Sequence, residues 1–151
     1  MSLETSPWNA RYLELLSELC KPAPGALEWF LDLLDVAFLW DHLVDREATD
    51  EDVQRADRVL EAMLVRWPLN PFYHQHITTL VPTLAAAISA WRFSNQPGAP
   101  KLKAYDLYTE VPAVMGLIIH GPGKCDEILL AIRESAFHRM EEDETEDGGK
   151  K

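Results

Sequence analysis

Apolar residues recur along this chain at three- and four-residue steps, in about six runs separated by breakers, and no alternating strand pattern persists. The longest run is Gly25 to Asp45, GALEWFLDLLDVAFLWDHLVD, where Leu27, Phe30, Leu31, Leu34 and Phe38 mark one helix face. Asp41 and Asp45 fall where that face continues. The pattern therefore predicts two carboxylates directed toward the interior or its rim.

The flanking runs follow the same logic. Ser6 and Pro7 read as an N-cap and a first-turn proline. Trp8, Tyr12, Leu15, Leu16 and Leu19 then form a stripe that Lys21-Pro22-Ala23-Pro24-Gly25 stops. Thr49 and Asp52 approximate a capping box that opens a third helix to about Trp67. Its spacing predicts Val53, Ala56, Leu60, Met63, Leu64 and Trp67 inside, with Asp57, Arg58 and Glu61 on a solvated outer face. Pro71 to Trp91 contains no Asp, Glu, Lys or Arg, which predicts a central helix buried on nearly every side, within the chain or at a subunit interface. Pro82 should kink it by freeing the Thr78 carbonyl.

After a loop at 94–100, a fifth helix is expected from Leu102 to His120, bent or interrupted at Pro112 and broken by Gly121-Pro122-Gly123. A sixth runs from about Asp126 to Met140 with Leu129, Ile132, Ala136, Phe137 and Met140 inward. Glu141 to Lys151 is a charged stretch expected to be disordered. The expectation is an all-α, single-domain bundle of about six helices over residues 1–140, with an acidic tail at 141–151.

Composition narrows the function classes. A length of 151 residues suits one domain with a real core. A net charge of -11 argues against direct nucleic-acid binding and against anionic membrane surfaces. Cys20 and Cys125 are the two cysteines, far apart and outside any CxxC, which fits a reducing bacterial cytoplasm and excludes a zinc-thiolate site. MSLETSPW has no basic n-region, and no uncharged apolar run reaches the length of a membrane span.

The chemistry to be weighed begins with Asp41 and Asp45. Four residues apart, their Cβ atoms lie about 6 Å from each other. They sit in the last turns of a helix, where the macrodipole disfavours negative charge, and Gly25–Asp45 holds no Lys or Arg. A divalent cation, an arginine from another helix, or water must compensate them. Two carboxylates make half a site for Mg²⁺ or Mn²⁺, and with an imidazole for Zn²⁺ or Fe²⁺. His76, on the side of its helix shared by Tyr73, Leu80, Leu84 and Trp91, is the candidate third ligand. The alternative is a core histidine bonded to a carboxylate or carbonyl, and both readings place His76 near Asp41 or Asp45. Asp106 and Glu110 form a second acidic pair, flanked by Tyr105 and Tyr108. They either extend such a site or pair with Lys101 and Lys103 at the surface. His120 is expected as a donor at a helix C-terminus, and His42 and His138 as exposed. No Glu-x-x-His, Gly-x-Ser-x-Gly or Gly-rich phosphate loop occurs.

Phe38-Leu39-Trp40-Asp41-His42-Leu43-Val44-Asp45 and Asn70-Pro71-Phe72-Tyr73-His74-Gln75-His76, with the apolar helix ending at Trp91, resemble a group of small helical proteins of tailed bacteriophages and prophages, generally of unknown function. The resemblance spans about 25–91 and implies a phage or prophage setting without an activity. Asp41-x-x-x-Asp45 is also similar to the diphosphate-metal aspartates of class I terpenoid synthases, whose Asp-Asp-x-x-Asp is absent here. Helical nucleotide pyrophosphohydrolases are an analogy only, since their Glu-x-x-Glu and Glu-x-x-Asp pairs are missing. Three functions remain: an accessory protein that forms a dimer or binds a protein partner, a divalent-metal-dependent enzyme or metal binder acting on a small substrate, phosphorylated or not, and an acidic decoy for a DNA-binding protein. Whether the chain is an enzyme stays open.

Overall fold

The computed structural model of the chain describes residues 7–100 and 105–136. Six helices and no strand occur among these residues: α1 Pro7–Cys20, α2 Ala26–Val44, α3 Asp50–Glu61, α4 Pro71–Ser94, α5 Asp106–His120 and α6 at 126–136. The fold is all-α. No helix among them is long and apolar enough to cross a membrane. Two compact units divide the chain, one of Met1–Pro22 with Thr79–Lys151 and one of Ala23–Thr78. Ser6, Lys101, Lys103, Phe137, His138, Met140, the tail at 141–151 and the Trp8 side chain lie outside the described residues.

In the first unit, α1 packs on α5. Tyr12, Leu15, Leu16 and Leu19 of α1 are buried, as their spacing requires. The Tyr12 hydroxyl donates to the Tyr108 carbonyl at 2.7 Å. Burial pushes its phenol well above the ordinary range, and Tyr108 and Cys20 add to the effect. His120 Nε2–H donates to the Leu19 carbonyl at 2.8 Å, so it serves a helix C-terminus, that of α1. Gly116 allows a close approach: a Cβ there would meet Cys125 Sγ at 2.9 Å. Pro112 is buried inside α5, Gly121 ends that helix with φ 84, and Leu129, Ile132 and Ala136 of α6 are buried.

In the second unit, α2 packs on α3. Trp29 is fully buried and stacks on Tyr73, with ring centroids 5.7 Å apart, while Trp67 and Phe72 pack at 5.9 and 6.2 Å. Such an aromatic cluster supplies much of the unit's apolar burial. Gly25 and Asn70 join the starts of α2 and α4. Asn70 Oδ1 caps the Tyr73 N–H at 3.0 Å and its amide donates to the Gly25 carbonyl at 2.8 Å. Gly25 has φ +85, and a Cβ there would stand 2.9 Å from Asn70 Oδ1.

Two expectations for α3 and α4 need correction. The α3 helix does run on toward Trp67, but through a π-turn at Ala62–Arg66 and a last turn at Trp67–Leu69. The Trp67 N–H bonds the Ala62 carbonyl five residues back. Pro68 explains the position, because its ring cannot enter an unbroken α ladder and has no N–H to give. The extra residue turns Trp67 by about 100° relative to a continuous α-helix. Trp67 is therefore buried, whereas Val53, Leu60, Met63 and Leu64, expected on the same inner stripe, are exposed. Ala56 is half-buried.

The α4 helix is not buried all round. Phe72, Leu80, Ala87 and Ser94 are buried, but Ile77 and Val81 are 42% and 43% exposed. Its uncharged Thr, Ala, Ser and Gln positions tolerate water, so absence of charge does not force burial. The backbone leaves helical geometry at His76 (φ -116, ψ 18), upstream of Pro82. At the predicted kink itself, the Thr83 hydroxyl donates to the Thr79 carbonyl at 2.8 Å.

Candidate functional site

The polar chemistry of the second unit gathers on the inner face of α3. Asp52, Arg55, Val59 and Ala62 follow three- and four-residue spacing and are all buried. Thr49 and Asp52 form the expected capping box, with the Thr49 N–H donating to Asp52 Oδ2 at 2.9 Å. The same carboxylate takes a forked bond from His42 Nδ1–H, at 3.0 and 2.9 Å to its two oxygens. Arg55 Nη1 adds a third donor on Oδ1, and the Arg55 guanidinium also lies 3.6 Å from Asp35 of α2. Its charged plane sits 5.7 Å from the centre of the Phe38 ring.

Asp52 is 2% exposed, so a charge there is tolerable only with this many donors. The Thr49 backbone N–H, then the His42 hydrogen bond, hold its carboxyl well below the usual carboxylate range. Asp52 is thus a cap and an interhelical clamp at once. A second clamp stands one residue before Trp67, where Arg66 grips Asp32 of α2 through Nε and Nη2 at 3.2 and 2.9 Å. Arg66 Nη2 also reaches the Arg58 carbonyl at 3.2 Å.

With the charged side turned in, the apolar side turns out. Val53 is 70% exposed, Leu60 59% and Leu64 73%. Val53 and Leu60 are two turns apart on one face, and Leu64 follows one turn on. The bordering row is acidic: Asp50, Asp57 and Glu61 are all exposed and share three-, four- and seven-residue spacing with those leucines and valine.

The residues singled out from sequence are placed differently. Asp41 and Asp45 are exposed, not inward or at a buried rim. The packed stripe of α2 ends near Phe38, and beyond Trp40 the one side chain of that helix that is not exposed is His42. His42, expected at the surface, is instead half-buried on Asp52. His76 is half-buried with its ring 5.1 Å from that of Phe72. Tyr73 belongs to the aromatic cluster around Trp29 and Trp67. Asp106 is half-buried in the first turn of α5, and Glu110 is exposed with Arg133 at 3.4 Å. Among the described residues, no group of three or more His, Cys, Asp or Glu side chains is placed to hold a metal ion.

Sequence reading missed His42, Asp52 and Arg55 as one cluster. The available signal was the second face, Asp52-Arg55-Val59-Ala62, which competes with the apolar one at equal periodicity. No protein-family model, curated protein or solved structure matches the chain.

Proposed function

We propose that this protein is a helical accessory protein that works by docking, with the outer face of α3 as its contact surface. A phage or prophage setting is part of the same proposal and rests on the sequence resemblance over 25–91. One observation carries the docking reading: α3 buries Asp52 and Arg55 while Val53, Leu60 and Leu64 face outward. A helix that spends its polar side inward and keeps an apolar row outside has a surface suited to another chain.

The test is a double variant, Val53→Glu with Leu60→Glu. Both side chains are exposed, so unfolding free energy should stay within about 0.5 kcal/mol of wild type. Binding of an apolar fluorescent dye to the native protein should fall. A large loss of stability would mean that the row is packed as core, and unchanged dye binding would mean that it is not an accessible apolar surface.

A further inference from the structure

We infer that the chain docked on α3 is a basic amphipathic helix, with apolar residues on one face and Lys or Arg along its flanks. This rests on the docking reading above and adds the chemistry of the partner.

Charge around the row decides between a second copy and a different chain. Residues 23–78 contain eleven Asp and Glu, four Arg and no Lys. Three of those arginines are held by the unit's own carboxylates: Arg55 by Asp52 and Asp35, Arg58 by Asp35, and Arg66 by Asp32. Arg55 is committed inside the α2–α3 seam, whereas Arg58 and Arg66 are paired at the surface, 49% and 42% exposed. Asp50, Asp57 and Glu61 stay exposed beside the apolar row, with Glu61 3.5 Å from Arg66 at the surface, and the acidic excess remains.

A second copy would bring the same acidic row to the same apolar row. Like charges facing each other across a helix pair oppose association. A helix with apolar residues at i, i+3 or i+4 and i+7 would cover Val53, Leu60 and Leu64, and its Lys or Arg flanks would meet Asp57 and Glu61. The row spans only about three turns, so a large part of the recognition comes from charge and weakens as salt rises.

The experiment uses the full chain and labelled peptides of about 18 residues, five helical turns. One peptide has Leu on a single face and Lys elsewhere. The second has the same residues shuffled so that the Leu no longer share a face, and the third has Glu in place of Lys. Fluorescence anisotropy gives the affinities at low and high salt, and sedimentation gives the oligomeric state of wild type and Leu60→Glu.

The patterned Lys peptide should bind and lose affinity with salt, with the shuffled and Glu peptides weaker by about tenfold or more. Leu60→Glu, and separately Asp57→Lys with Glu61→Lys, should each weaken it by about tenfold. Equal binding of the shuffled peptide, or indifference to either variant, overturns the inference. If no peptide binds and wild type sediments as a dimer that Leu60→Glu dissolves, the inference falls while docking stands, with a second copy as occupant. If no peptide binds and both proteins sediment as monomers, both fall.

Discussion

Helices α1 and α3 bury opposite kinds of surface. The inner face of α1 is almost entirely carbon, Leu15, Leu16 and Leu19 around one hydroxyl, that of Tyr12, which finds a carbonyl. The inner face of α3 begins with a carboxylate and a guanidinium and turns apolar only at Val59, Ala62 and then Trp67. The α1 stripe is held by transfer of apolar area out of water. The first two turns of α3 are held by geometry: donors from Thr49, His42 and Arg55 must all reach one carboxylate. Once that network claims the inside, the larger apolar residues of α3 have only the outside left.

The difference is sharpest in a paired substitution. Leu16 is fully buried, so Leu16→Ala should cost about 2–5 kcal/mol in denaturant unfolding. Leu60→Ala, at a position 59% exposed, should stay within about 0.5 kcal/mol of wild type. Similar losses for the two would break the comparison, because they would place Leu60 in a packed interior.

The network itself is probed by pH. The folded Asp52 carboxyl is held below its ordinary value of 3.8, so ionised Asp52 favours the folded chain. That contribution is fully present above the ordinary value and is lost as pH falls toward the lower folded value. Asp52→Asn should lower the Tm by several degrees near neutral pH, and its deficit relative to wild type should shrink as pH drops through 4 and below. A deficit independent of pH would assign the role of Asp52 to shape and amide-tolerant capping, not to its charge.

How much of this was legible in the chain follows from the same two helices. Stripes such as Tyr12-Leu15-Leu16-Leu19 and Leu129-Ile132-Ala136 have one candidate inner face each, and the periodicity gave its direction. In α3 two faces share the period. Hydropathy favours Val53 and Leu60, and only partners on α2, distant in sequence, make Asp52 and Arg55 buriable. The π-turn before Pro68 then redirects Trp67, a one-residue slip that no repeat of three and four expresses. The acidic pair Asp41 and Asp45 was legible as a pair but not as a site. Periodicity fixes which side of a helix a residue occupies, whereas burial requires neighbours on that side, and beyond Trp40 the half-buried side of α2 is the one that carries His42.

The smallest effect concerns how α2 ends. The Glu47 N–H bonds the His42 carbonyl at 2.9 Å and the Arg46 N–H bonds the Leu43 carbonyl at 3.4 Å, the pairing of a Schellman stop. Its left-handed position holds Arg46 at φ 59, where a side chain with a Cβ is strained and glycine is not. The stop matters to the comparison because it turns the chain just after His42, and the short link to Thr49 then brings Asp52 under that ring. Arg46→Gly should relieve the strain and raise stability by up to about 1 kcal/mol, the greater chain entropy of glycine offsetting part of the gain. The gain should survive in an Asp52→Asn background if the turn and the network act independently, as measured by a double-mutant cycle of thermal unfolding. A gain that disappears there would show that the strained turn is tolerated for the sake of the His42–Asp52 contact, and that the inner polar face of α3 is set from the end of α2.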